Sequence, residues 1–167
     1  MKKYCVDTSG FSTPLEHMPG DIHVTLWQKI SSIIEAGTIA ATLEIYDELT
    51  RLIGPVGDCI RTNQPKIVME VGQASWNWSS YIQHSNKMLT DHSAYISEMC
   101  GGSRRTVGVN DISIIALGKA LSIPVVSSEV RRMPASKKWR HIPDVCDMEG
   151  VLHMTFNEFL RAEGIQA

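Results

Sequence analysis

The chain has 167 residues, of which 43% are hydrophobic and 20% charged, and its formal net charge is −2. These totals predict one soluble globular domain spanning residues 1–167, large enough to bury a core without staples. The near-neutral balance excludes a strong overall pull toward nucleic acid or an anionic membrane, but leaves room for a local basic patch.

Four scattered cysteines, Cys5, Cys59, Cys100 and Cys146, form no CxxC pair, so neither a zinc site nor a thioredoxin-like motif is expected. Asp7 interrupts the apolar run after Lys3 before it could serve as a secretory leader. No stretch approaches the roughly 20 apolar residues of a membrane helix. A cytoplasmic protein with reduced thiols and no membrane partner is expected.

In chain order, a strand is predicted over Lys2–Asp7, followed by a loop from Thr8 to Gly20 that holds Pro14 and Pro19. Asp21 then reads as the N-cap of a helix over Ile22–Ala36, with Ile22, Leu26, Ile30, Ile33 and Ile34 at helical spacing and Trp27 beside them. A short strand near Thr38–Ala41 precedes a helix, TLEIYDELTRLI, that stops at Gly54-Pro55. Residues 56–100 read as mostly helical, with Trp76, Trp78, Tyr81, Met88 and Tyr95 as candidate core or cover, and Gly101–Arg105 is a break. DISIIALGKAL reads as a helix and Ile123–Val126 as a buried strand opening at Pro124. A basic loop from Arg131 to His141 leads to IPDVC, and Thr155–Glu163 closes as a helix. Helices alternating with short β-rich runs predict an α/β protein with a parallel sheet and helices on its faces.

In such sheets ligands bind beyond the carboxyl ends of the strands, and two of the predicted strands run into an acid there. Asp7 follows the first; Ser127-Ser128-Glu129 follows the IPVV strand. Glu48 lies on the second helix one turn after Glu44, and Asp111 opens DISIIALGKAL. Singly, each acid has an ordinary reading: Asp7 as a turn former, Glu44 and Glu48 as a solvated face, Asp111 as an N-cap, Glu129 as a loop residue. Together they describe carboxylates converging on one cleft, which are tolerated mainly when a divalent cation neutralises them. An all-oxygen set suits Mg²⁺ or Mn²⁺, and phosphodiester hydrolysis is a standard use of such a site.

The ordered set VDTSGF, TLEIYDEL and NDISIIALGKALSIPVVSSE resembles the PIN domain, the nuclease fold of VapC-type toxins. RHIPDVCDMEGVLHMTFNEFLRAEG is similar to the ending of a PIN-like branch in which an IPDVC-type segment precedes the last helix. The resemblance covers nearly the whole chain and is weakest over 55–105. It implies a three-layer α/β/α PIN-like fold, with a central parallel sheet flanked by helices. It also implies Mg²⁺ or Mn²⁺ held by Asp7, Glu48, Asp111 and Glu129, with Glu44 as a lesser candidate for the second acid. Glu129 stands where the wider family more often has aspartate. The activity implied is a metal-dependent ribonuclease, with an RNA substrate, a cognate antitoxin as partner and a homodimer as a common assembly.

Thr8, Ser9 and Ser127 are candidates to orient the acids, though turn formation explains them equally well. Arg131, Arg132, Lys137, Lys138 and Arg140 surround Trp139 just after Glu129, giving cations for phosphates and a ring for an unpaired base. A solvated basic loop is the competing reading of that segment, and Arg104-Arg105 is a weaker basic candidate. Two rival functions are weighed. A haloacid-dehalogenase-like phosphatase would need a second aspartate where Ser9 stands. A non-catalytic PIN-like module that binds RNA or protein would be expected to have lost one of the four acids.

Overall fold

A computed structural model describes residues 1–103, 105–132 and 139–165. Its centre is a four-stranded parallel sheet in the order β2-β1-β3-β4, made of β1 (Tyr4–Val6), β2 (Ile39–Ala40), β3 (Val125–Val126) and β4 (His153–Met154). Cys5 pairs with Ala40 on one side and Val125 on the other, and Val126 pairs with Met154. Every residue of β1, β2 and β3 is buried, as expected of parallel strands covered on both faces. Beyond β2, Ala41 bridges to Val68 in parallel and lengthens that edge.

Helices cover both faces of the sheet, giving three α/β/α layers. Tyr4 points its ring edge at Phe159 of α9 (Phe156–Ala162), with centroids 5.0 Å apart. Phe11 of α1 (Thr8–His17), Trp27 of α2 (Val24–Glu35) and Phe156 continue this aromatic layer. The opposite face holds α7 (Val109–Leu121), buried continuously from Ile112 to Gly118 against β1 and β3 and covered by α6 (Trp78–Asp91). A helix apolar all round belongs in an interior. Gly118 permits that contact, since a Cβ there would sit 2.8 Å from Cγ2 of Val125.

Several expectations need correction. Thr8–His17 is a helix rather than a loop, with Pro14 inside it. Asp7 caps its start, and burial of Phe11 and Pro14 outweighs the missing proline N–H. The next helix begins at Val24 after a turn in which Ile22 and His23 both donate to the Pro19 carbonyl, so Asp21 does not cap it and Ile22 is 73% exposed. The TLEIYDEL helix, α3, spans only Leu43–Leu49; Gly54-Pro55 does not merely end it but opens α4 (Gly54–Thr62), proline being suited to a first turn. Tyr81 and Met88 are core, whereas Trp78 is exposed. After α5 (Gln64–Ile67) and a 3₁₀ turn at Ser97–Met99, IPDVC proves to start α8 (Ile142–Glu149). β4 was not expected from the sequence.

Candidate active site

From the central β1 the chain goes first to β2 on one side and later to β3 on the other, so the order reverses between β1 and β3. Ligand crevices in parallel sheets open at such a switch point. Asp7 leaves β1 there, its N–H donating to the Val126 carbonyl at 3.0 Å. Ser127–Glu129 leave β3 beside it. Gly10 lets α1 press onto the end of β3, because a Cβ there would lie 2.8 Å from the Val126 oxygen. α3 contributes Glu48 and α7 contributes Asp111, and α3 touches both α1 and α7.

Asp7 is only 5% exposed. Its Oδ2 accepts from the Ser9 N–H at 2.9 Å and the Ser9 hydroxyl at 2.5 Å. Burial raises its carboxyl above the ordinary aspartate value against those donors, and the Glu129 charge adds to the rise. Asp111 stands at the third position of α7 and accepts from the Gly108 N–H at 2.7 Å, a capping-box contact rather than an N-cap of its own. Its carboxyl is pushed up to about 7, by burial first, then by Asp7, Glu129 and Glu48, against the Gly108 hydrogen bond. Glu48 accepts from Thr8 Oγ1 at 2.7 Å and from Asn110 Nδ2 at 2.8 Å. Glu129 accepts from the Ile142 N–H at 2.7 Å, at the start of α8.

Asp111 therefore feels the charges of Asp7, Glu129 and Glu48, and the four acids lie around the switch point. Glu44 is left out: it is exposed on α3, and its charge acts on Tyr81 of α6. Among the described residues, no three His, Cys, Asp or Glu side chains stand close enough together to enclose a metal ion. The donor set still suits a hard divalent cation, because every candidate ligand is a carboxylate, and burial followed by the charges of the other acids holds Asp111 up. Mg²⁺ in particular is commonly held through one or two carboxylates with water and substrate phosphate, not by a closed protein cage.

Of the expected orienting residues, Ser9 holds Asp7, but the Thr8 hydroxyl goes to Glu48 instead. Ser127 Oγ meets Nε2 of His153 at 2.8 Å and accepts from the Glu129 N–H at 3.3 Å, so it shapes the loop that carries Glu129. Burial, and then the Arg131 charge, lower the His153 imidazole below its usual value. Sequence reasoning overlooked Asn110 and His153. Asn110 offered one cue, its place directly before Asp111 in a helical first turn.

The described residues of the basic segment are engaged with the protein. Arg131 makes a two-pronged pair with Asp147, at 2.7 and 2.9 Å. The Arg132 guanidinium donates to the Arg105 carbonyl and to His141, each at 3.1 Å. Arg105 and Arg132 lie 5.7 and 5.8 Å from the Trp139 ring centroid, and Arg140 lies 4.8 Å from that of Tyr95. Val107 donates to the Arg140 carbonyl at 2.9 Å, so the strips leading to Asp111 and from Glu129 are tied together. Arg104, Lys137 and Lys138 lie outside the described residues.

The fold and the crevice define a class: a three-layer α/β/α domain with four interacting acids at its switch point. A family model described as a domain of unknown function, DUF4411, matches residues 4–167, and the chain belongs to that family. No curated protein matches the chain. Among the described residues, no helix is long and apolar enough to cross a membrane.

Proposed function

We propose that this chain is a Mg²⁺- or Mn²⁺-dependent endoribonuclease that hydrolyses RNA phosphodiester bonds as the toxin of a toxin–antitoxin pair. One observation carries the catalytic half: the Asp111 carboxyl is pushed up to about 7 by burial and by the combined charge of Asp7, Glu129 and Glu48. An anionic pocket of that kind is relieved by a divalent cation. Asp7, Glu48, Asp111 and Glu129 would hold the metal, which when bound would lower the pKa of a water and offset charge on the scissile phosphate.

The protein's own contribution is alignment. Ser9 fixes Asp7, the Gly108 N–H fixes Asp111, and the first N–H of α8 fixes Glu129. Pre-set carboxylates avoid reorganisation when substrate arrives. RNA as the substrate is supported by the order of motifs shared with PIN domains, and by Arg132, Trp139 and Arg140 on the strip that follows Glu129.

The toxin half is supported by a groove of about 990 Å³ lined by α1, α2 and the start of α4. Leu15, Trp27, Leu52 and Val56 line it, and Val24 and Ile53 are left well exposed beside them. A largely apolar groove can seat an amphipathic segment, and Glu16, Asp21 and Glu35 outnumber Arg51 among the charged lining residues, which favours a segment with basic flanks. An inhibitory partner encoded beside the gene fits that chemistry.

The test is cleavage of single-stranded and structured RNA with Mn²⁺, with a chelator, and with Asp7→Asn. Cleavage should need the metal and vanish in the variant. Cleavage that survives the chelator, or survives in folded Asp7→Asn, overturns the metal-nuclease reading.

A further inference from the structure

We infer that Asn110 is a positioning residue for Glu48, fixing that carboxylate so that α3 and α7 present their acids to a divalent cation as one unit; this rests on the metal-nuclease reading above. Glu48 is a flexible, half-buried side chain on a helix of only seven residues. Both its oxygens are nevertheless engaged: Oε1 by Asn110 Nδ2 at 2.8 Å and Oε2 by Thr8 Oγ1 at 2.7 Å. Two donors on two oxygens fix the carboxylate plane as well as its position.

The main chain of Asn110 is tied separately. Ser113 Oγ donates to the Asn110 carbonyl at 2.7 Å and meets Thr42 Oγ1, at the N-cap of α3, at 3.1 Å. α3 is thus joined to the first turn of α7 at both ends, by Thr42 through Ser113 and by Glu48 through the Asn110 amide. That turn sets two acids at once, since the adjacent Asp111 is held by the Gly108 N–H. A neutral amide is the donor such a place requires. A lysine would cancel the Glu48 charge and compete with a cation, and an aspartate would repel it. Groups that hold a metal-binding carboxylate in place typically govern affinity by about 10–100-fold.

The test measures Mn²⁺ affinity by isothermal titration calorimetry alongside thermal melting, for wild type, Asn110→Ala and Ser113→Ala. Asn110→Ala keeps the carbonyl that Ser113 uses, so it should weaken Mn²⁺ binding about ten-fold or more with little change in melting. Ser113→Ala loosens the tie between α3 and α7 and should lower the melting temperature and the affinity together, unlike Asn110→Ala. Should Asn110→Ala fail to fold, Thr8→Val against Thr8→Ser reads the same clamp, with loss in the first and retention in the second. Equal affinity in wild type and in the clamp variants overturns this inference alone. Failure of the wild type to bind Mn²⁺ overturns the nuclease reading with it.

Discussion

Ser9 and Ser128 are joined twice. The Ser128 N–H donates to the Ser9 hydroxyl at 3.1 Å, and the Ser128 hydroxyl donates to the Ser9 carbonyl at 2.7 Å. Because the Ser9 hydroxyl also donates to Asp7 at 2.5 Å, one small group links the acid after β1 to the loop after β3. Ser9→Ala removes that link while leaving the Ser9 N–H on Asp7. RNA cleavage should fall about ten-fold. Urea melts should show a stability loss of about 1 kcal/mol.

Asp111 gives a pH signature that does not depend on turnover. Its carboxyl lies near 7 in the fold, against an ordinary value of 3.8. Between those values the native state holds more protons than the unfolded chain, so this group's contribution to stability falls as pH rises through the window. Asp111→Asn keeps an acceptor for the Gly108 N–H and carries no charge. In metal-free buffer it should be more stable than the wild type at pH 8, by about 4 kcal/mol at most. The gap should close toward pH 4. Melting curves of both proteins at the two pH values check this, and a gap between them that is the same at pH 4 and pH 8 would contradict it.

Glu149 behaves in the opposite sense. Burial alone would raise its carboxyl, but hydrogen bonds from Lys119 and His92, each at 2.7 Å, hold it below the ordinary glutamate value. Its contribution is therefore fully present above pH 4.5 and is lost as pH falls below that value through the lower one the carboxyl has in the fold. Glu149→Gln leaves Lys119 and His92 facing a neutral amide, and should cost about 2 kcal/mol at pH 7. Denaturant unfolding at pH 7 and pH 4 should show the cost shrinking at the lower value.

Gly10 tests how the crevice is built. A methyl group there would stand 2.8 Å from the Val126 carbonyl oxygen and 3.4 Å from Val6 Cγ1. Gly10→Ala should push α1 off the strand ends and cost about 1–3 kcal/mol. Since α1 also carries Thr8 and Ser9, Mn²⁺ affinity should fall together with stability. A variant as stable as wild type would show that α1 can shift without strain.

Asp7 and Glu129 were legible as candidates because strand ends are simple to see, whereas Glu48 and Asp111 lie on helices. Tyr4-Cys5-Val6 and Val125-Val126 are unbroken apolar runs, and each gives way abruptly to polar residues. The parallel α/β architecture was readable from the alternation of such runs with helical periodicity. The features that stayed hidden depended on distant partners. Asn110 has its role only through Glu48, 62 residues away in the chain, and its place before Asp111 is the one local cue to it. α1 was masked by Pro14, whose cost in a helix is local while the burial of Phe11 that offsets it is not. β4 is two residues at a sheet edge, one of them a histidine, and offers no run to detect. Ile22 misled in the other direction, since its spacing fits a helix that the Pro19 turn delays by two residues.

The pairing of Cys5 with Val125 also sets when the acids after β1 and β3 can meet. β1 can find β2 once some forty residues of chain have emerged, but its other neighbour lies 120 residues downstream. At a synthesis rate of about 5–20 residues per second, that interval is roughly 6–24 s, during which Asp7 has no Glu129 beside it. A chain cut short before β3 would carry two or three of the acids and no crevice. Until β3 has been made, the acid after β1 and the acid after β3 cannot share one site.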